Sequence, residues 1–288
     1  MRISALFAVL MFLTTAGFSQ VPYRKYKAGE VYKYRLTTIA DRVNFKSKTI
    51  AVSEHRVVNE DNILAEEIKW LSLVSMTDKY KARLDSVAHK VNPYRISLLP
   101  EGKVLLPKLN IPSMTGPITD LNTFFVAVAP ASNAQQLSEN NPVINSGVVR
   151  EGDFTNGLTI LYGKDCIVMS QHLIATDKRY TIIRTDFTPP DSFCLKPLVD
   201  TIASKTFDKP NNFQMIQKGD DNRLYLYWGV ETFSITSKID KRTGVIVDAT
   251  MENTLDLRMR VHISPDLKTY ADEIPFLIKR SMHLELLK

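Results

Sequence analysis

The sequence predicts a mainly β protein: an antiparallel curved sheet or half-barrel, as one large domain or two β lobes, with one amphipathic helix near residues 118–129. Three observations carry this expectation. From residue 231 to 263 apolar residues alternate with polar ones, the period of half-buried strands with one dry and one wet face. Turn-forming clusters such as Asp240-Lys-Arg-Thr-Gly244 punctuate the alternation, with a glycine free to take positive φ. A helical spacing appears between Pro117 and Pro130, although by propensity alone the run Phe124-Phe-Val-Ala-Val128 would equally suit a strand core.

The chain opens on the pattern of an export signal. Arg2 gives a positive start, residues 6–13 an apolar core, and Gly17-Phe-Ser19 the small residues expected before cleavage at Gln20. That core is shorter than the roughly 20 residues of a membrane span. The mature chain is therefore expected to be exported, periplasmic or extracellular, with no transmembrane span after signal cleavage.

The net charge of +6 is unevenly placed. Residues 20–48 carry Arg24, Lys25, Lys27, Lys33, Arg35, Arg42, Lys46 and Lys48 against Glu30 and Asp41, interleaved with Tyr23, Tyr26, Tyr32 and Tyr34. Such a mixture suits nucleic acid or an anionic surface. Export argues against nucleic acid and leaves an anionic envelope surface as the partner, contacted by Arg24, Lys25, Lys27, Lys33 and Arg35. The plainer alternative is an edge strand kept soluble by its lysines.

Strands are expected at 31–38 and 49–58 and, after the turn Asn59-Glu-Asp-Asn62, at 63–76. In the last of these, Leu64, Ile68, Trp70, Val74 and Met76 share one parity and Ala65, Leu71 and Leu73 the other, so part of it is expected to be covered on both faces. Residues 77–86 read as a loop or short helix. Residues 94–99 and 103–106 flank Pro100-Glu-Gly102 as a hairpin. Pro107, Pro112 and Pro117 interrupt regular structure up to residue 117. Ile118, Leu121, Phe125 and Val128 then recur at helical spacing beside Phe124, with Pro117 near the start and Pro130 past the end. A polar segment, 131–141, follows.

The second half returns to alternation. Strands are expected at 166–174 and 179–187, a proline- and aspartate-rich loop at 188–200, and a hairpin of 213–217 with 224–228. Strands at 231–239, 245–252 and, past a polar break at Asn253, 255–263 lead to a last one at 281–286. Asp248, Thr250, Glu252, Asp256, Arg258, Arg260 and His262 are the expected wet face. The divisions are an export signal at 1–19, an N-terminal β lobe at 20–110, a proline-rich connection and helix at 111–145, and a C-terminal β lobe at 146–288 sharing one sheet with the first.

The export signal, the Leu99-Pro-Glu-Gly102-Lys-Val104 hairpin followed by an apolar helix, and the late Asp240-Lys-Arg-Thr-Gly244 hairpin together resemble secreted bacterial β-rich proteins of unknown function. The layout is also similar to that of the periplasmic lipoprotein-carrier superfamily, whose half-barrel closes over helices to hold acyl chains. The resemblance implies a fold and a class of ligand. It implies no site residue.

Local chemistry is sparse. His55, His89, His172, His262 and His283 lack metal-ligand spacing, and no His-Glu-x-x-His, Gly-x-Ser-x-Gly or phosphate-loop motif occurs, so no metal or cofactor is expected. Glu66 and Glu67 adjoin in a strand and should point to opposite faces. Cys166 and Cys194 form one disulfide or remain two buried thiols. Phe124, Phe125, Tyr227, Trp228 and Phe233 are the candidates to line an apolar ligand cavity, the alternative being ordinary core packing. The expected function is exported, non-enzymatic binding of a hydrophobic or amphiphilic, lipid-like ligand between sheet and helix. The alternatives are a structural or adhesion module of the cell envelope and a hydrolase with dispersed carboxylates, a chemistry that leaves no local spacing.

Overall fold

Alternation of this length must find strand partners, and it finds them in one hydrogen-bonded sheet. The computed structural model describes residues 24–42, 45–60, 62–99, 104, 107, 111–129, 143–147, 151–154, 158–161, 167–189, 208–218 and 221–287. The expected export signal, the turn Pro100-Glu-Gly102, the segment 131–141, most of the loop 188–200 and both cysteines lie outside the described residues.

In chain order the elements are β1 (Val31–Arg42), β2 (Phe45–Glu60), β3 (Ile63–Thr77), β4 (Lys81–Arg83), α1 (Asp85–Ala88), β5 (Tyr94–Ile96), α2 (Pro112–Val128), β6 (Val143–Gly147), β7 (Glu151–Phe154) and β8 (Leu158–Leu161). They continue as β9 (Ile167–Thr176), β10 (Tyr180–Thr188), β11 (Phe213–Lys218), β12 (Leu224–Asp240), β13 (Ile246–Ile263) and β14 (Asp272–Leu287). The main path of the 14-stranded sheet runs β4-β3-β2-β1-β14-β13-β12-β10-β9-β6, and among the described residues it stays open. The fold is therefore mainly β, one large antiparallel sheet, as the alternation predicts.

Two turns show why the register is firm. The Asp240 carboxylate accepts from the backbone N–H of Arg242 and Thr243, each at 3.0 Å, and Gly244 takes φ 69°. Only such a side chain at the first position and a glycine at the last let the chain reverse so tightly. At the β2–β3 turn Asn62 takes the positive φ, 67°.

β12 is a branch point. Residues 224–229 pair with β11, and residues 233–240 pair with β10. At the fork Gly229 adopts φ 149°, a region essentially closed to other residues. The Asn212 side chain then mimics one more strand residue: its Nδ2 donates to the Glu231 carbonyl at 2.8 Å, and its Oδ1 accepts from the Glu231 N–H at 2.7 Å. The runs 224–228 and 231–239, expected as separate strands, are thus one strand. Asn253 likewise does not break β13, because its side chain turns into the buried face and is bonded there. The doubly apolar stretch of β3 is explained by a bulge: Val52 faces Ser72 while Ser53 faces Trp70, so Leu71 is skipped and Leu73 takes over the buried parity from Trp70.

α2 begins earlier than the spacing predicts, at Pro112 rather than near residue 118. Proline suits a first turn because the N–H it lacks has no partner there. Pro117 is tolerated inside because the carbonyl it leaves unbonded belongs to exposed Ser113, where water can reach it. At the other end, the Ala127 carbonyl accepts from Gln171 Nε2 at 2.6 Å and Thr185 Oγ1 at 2.9 Å. Two sheet side chains thereby satisfy a carbonyl that the helix end cannot.

The helix lies on one face of the sheet. Met114, Ile118, Leu121, Phe124, Phe125 and Val128 are buried against Leu36, Trp70, Ile235, Met251 and Leu284 in the main core. Asp120 and Asn122 are buried as well, so α2 is wrapped on more of its circumference than a single apolar stripe accounts for. The opposite face of β13 is largely polar, with Thr250, Glu252 and Asp256 exposed. Arg260 departs from that expectation. It is buried beside Trp228, with its guanidinium 4.5 Å from the Tyr270 ring and Nε 2.6 Å from Glu273.

Candidate functional site

The helix-bearing face divides into three zones: a core sealed by α2, a belt of polar side chains, and an apolar platform beyond the helix. Each follows from which cross-strand rows the helix reaches, since paired residues of antiparallel strands project to one side.

The sealed zone contains a buried ionic chain. His55 Nδ1 donates to Glu66 Oε2 at 2.9 Å, and His55 Nε2 lies 3.0 Å from Ser53 Oγ. Arg24 Nε lies 3.3 Å from Glu66 Oε1, and its Nη2 lies 3.0 Å from Glu30. Burial alone would push the Glu66 carboxyl upward, but the His55 hydrogen bond, the His55 charge and Arg24 outweigh it and hold it below its ordinary value. The hydroxyls of Tyr26, Tyr32 and Tyr34 are raised by burial first and by the Glu66 charge second. Arg24 also donates to the Thr243 carbonyl at 3.2 Å, so this chain fastens the segment before β1 onto the β12–β13 turn.

Ser53, His55 and Glu66 stand in the order hydroxyl, imidazole, acid that a serine nucleophile needs. Yet Ser53 is 1% exposed, and the neighbouring His55 ring packs 5.5 Å from Phe125 and 5.0 Å from Tyr34. A nucleophile has to meet an electrophile, and this one is enclosed. The chain's evident work is to compensate two buried charges.

The belt runs along the next rows. Thr38 Oγ1 donates to Asp120 Oδ2 at 3.2 Å, and Arg280 Nη1 donates to Asp120 Oδ1 at 2.8 Å. Arg280 Nε reaches Asn253 Oδ1 at 2.7 Å, and Asn253 Nδ2 donates to Glu231 Oε1 at 3.0 Å. Asp120 is the helix's own contribution, so the belt marks where α2 meets β1, β14, β13 and β12.

Past the belt the face turns apolar again. One row is Glu231, Leu255, Ile278, Arg42 and Phe45; the next is Phe213, Gly229, Leu257 and Phe276; the third is Met215, Tyr227, Met259 and Ile274. Ala40, Phe213, Leu255, Leu257 and Ile278 form a second cluster, with Met215, Tyr227 and Phe276 packed on it. The Tyr227 and Phe276 rings lie 5.2 Å apart. α2 supplies none of the cluster's described members. Exposure rises from 2% at Leu257 to 37% at Ile274 and 44% at Phe45.

The sequence-predicted residues are distributed over all of this. Phe124 and Phe125 are in the sealed zone. Phe233 borders it, stacked on Phe187 at 4.7 Å. Tyr227 belongs to the platform, and Trp228, its neighbour in the strand, points to the other face with Leu226 and Ile263. Of the basic candidates, Lys25, Lys27, Lys33 and Arg35 are exposed, with Lys33 3.8 Å from Glu54 and Arg35 3.0 Å from Glu285. Arg24 is instead 3% exposed, because Glu66 and Glu30 draw it into the core, and it presents no charge to a surface. Glu66 and Glu67 do face opposite ways, Glu67 meeting Arg95 at 3.3 Å. The sequence reading missed the His55–Glu66–Arg24 chain and the Asp120–Arg280 pair. Their members are far apart in the chain, and the one local signal was the charged parity within β2 and β3. Among the described residues no three His, Cys, Asp or Glu side chains gather to hold a metal.

No family model matches the sequence, and no curated protein matches it. Among solved structures the chain is similar to lipovitellin, in a structure of lipid–protein interactions in lipovitellin, with a TM-score of 0.42 and 9% identity. The match covers 92% of this chain and 26% of that one, so this chain spans about a quarter of its length.

Proposed function

We propose that this is an exported, non-enzymatic binding protein that holds a hydrophobic or amphiphilic ligand on the platform beyond α2. The observation that carries the reading is the apolar margin of the sheet beyond α2, where exposed Ile274 and Phe45 adjoin the buried cluster of Leu255, Leu257 and Ile278. Contiguous apolar surface left in water costs free energy in proportion to its area, roughly 25 cal/mol per Å², and a ligand that covers it recovers that cost. Under α2 the helix's own side chains already occupy the equivalent surface, which is why the ligand is assigned to the platform and not to the space around Phe124 and Phe125. The export part of the reading is supported by the pattern of residues 1–19.

Native mass spectrometry of the protein purified gently from its producing cell, followed by organic extraction, tests the binding role. A co-purifying lipid-like mass is expected, and Ile274→Glu should abolish it while leaving the fold intact. A homogeneous protein that takes up no fluorescent fatty acid would overturn the reading. The export part is tested separately by the mass of the mature chain, expected to begin at Gln20.

A further inference from the structure

The face of the sheet opposite α2 changes character along its strands. Toward one end its charges are matched: Lys33 lies 3.8 Å from Glu54, Arg35 3.0 Å from Glu285, and His283 2.7 Å from Asp248. Toward the other end, cross-strand rows bring together Thr37, Ile50, Val74 and Arg83, then Ile39, Lys48, Met76 and Lys81, then Lys279, Asp41 and Lys46. Ile39 is 44% exposed, and Leu277, two residues from Lys279 along β14, is 38% exposed. Ile50, Val74 and Met76 are half-buried beside them. Asp41 is engaged by Lys46 at 3.1 Å and Arg83 by Asp85, whereas Lys48, Lys81 and Lys279 are exposed and form no ion pair among the described residues. Asp256, opposite Leu277 in the β13–β14 pairing, is an exposed anion on the flank. At the corner the β3–β4 turn holds Tyr80, 55% exposed: the Thr77 N–H donates to the Tyr80 carbonyl at 2.8 Å, and Thr77 Oγ1 accepts from the Tyr80 N–H at 3.2 Å. From β14 to β4 the rows cross neighbouring strands of the main path, about 19 Å at roughly 4.8 Å per strand.

We propose that this end of the face docks on an anionic lipid bilayer, with Lys48, Lys81 and Lys279 meeting the phosphate headgroups while Ile39, Leu277 and Tyr80 enter the boundary between headgroups and acyl chains. The combination selects the partner. Lysines without anions are drawn to a negatively charged leaflet, and their long stems let the charge reach the headgroups while apolar neighbours sink lower. Exposed aliphatic side chains and a tyrosine suit that boundary and gain nothing from a soluble polyanion. The surface lies on the other side of the sheet from the platform, so the docking does not depend on the binding role proposed above.

Flotation of the full mature chain with vesicles of phosphatidylcholine, alone or with about one-quarter phosphatidylglycerol, tests the docking. Binding is expected to the mixed vesicles only, and should fall by about tenfold or more between about 0.1 M and about 0.5 M salt. Lys48→Gln with Lys81→Gln should weaken it about 25-fold, roughly fivefold for each charge removed from a negative surface. Lys69→Gln with Lys178→Gln, a pair of equal net charge placed elsewhere, should leave it unchanged. Ile39→Ser with Leu277→Ser should weaken binding at both salt concentrations while the circular dichroism spectrum stays the same. Equal losses from the two lysine pairs would overturn the proposal, because net charge alone would then be at work. Heparin binding by a protein that ignores both vesicles would overturn it in favour of a soluble polyanion. A dimer in sedimentation velocity that Ile39→Ser with Leu277→Ser dissociates would overturn it in favour of a second copy of the chain. Fatty-acid uptake measured without vesicles should be the same in every variant, so that failure of the docking and failure of the binding role are separate results.

Discussion

The two ends of the helix-bearing face are built from the same strands, β1, β12, β13 and β14, yet α2 contributes to the core of only one of them among the described residues. Where α2 lands, Phe124, Phe125, Trp70 and Tyr34 are buried, and the buried charges lie in bonded chains, Arg24–Glu66–His55 and Asp120–Arg280. Where the helix does not reach, apolar side chains continue in the same alternation as a second buried cluster, with exposed residues, Ile274 and Phe45, at its margin. Alternation therefore fixes which side of a sheet is dry, and the element laid on that side decides which rows join the core it shares. The belt from Asp120 to Glu231 draws the border, because it is the row where the helix contributes a carboxylate instead of a hydrocarbon.

Perturbing each side of the border sharpens the contrast. The largest effect should come from Glu66→Ala, which leaves Arg24 and His55 buried without their anion and should cost about 3–5 kcal/mol in urea-monitored unfolding. Replacing Arg24, His55 and Glu66 together by apolar residues should cost much less than the single change, since an apolar set has no charge to compensate. Asp120→Ala should cost about 1.5–3 kcal/mol, because Arg280 keeps partial access to water.

Acid should act on the sealed side. The folded pKa of Glu66 lies below its ordinary value of about 4.5, so its contribution is complete above that value and is lost as pH falls through the lower folded pKa. Stability measured by denaturant should therefore drop below about pH 4.5, and the Glu66→Ala variant should show a shallower drop over the same window. An equal slope in both proteins would remove Glu66 from the account. The smallest effects on stability belong to the platform. Ile274→Glu and Leu277→Glu should each change unfolding by no more than about 0.5 kcal/mol, as exposed positions do. Only Ile274→Glu should weaken ligand uptake, because Leu277 sits on the other face of β14.

Much of the sheet was legible in the sequence, since period-two alternation and the Asp240–Gly244 turn are local signals with one physical meaning. The errors share a cause. Asn253 reads as a break because nothing nearby reveals Glu231 and Arg280, which bond it from two other strands. Pro117 reads as a helix start because a proline's missing bond is costly in general, and only an exposed first turn relieves it. Arg24 and its tyrosines read as a charged leader because the carboxylate that draws them inward, Glu66, lies 42 residues away. Half of the platform was visible, as the shared parity of Leu255, Leu257 and Met259. Its separation from the core under α2 was not, because that depends on the belt of Asp120, Arg280, Asn253 and Glu231 drawn from four elements.

One pairing has a consequence for how the molecule assembles. β1 and β14 lie side by side in the middle of the sheet's main path, and Arg35 meets Glu285 across 250 residues of chain. Until the last strand is available, the N-terminal strands and the β10–β13 block have no strand pairing with each other along the main path, and each keeps a bare edge inviting a wrong neighbour. Joining them means closing the longest loop in the chain, a slow step in an architecture already dominated by distant contacts. Losing β14 would therefore not shorten the sheet by a strand. It would break the sheet's hydrogen bonding at its centre and leave α2 and the Arg24 segment to hold the halves together.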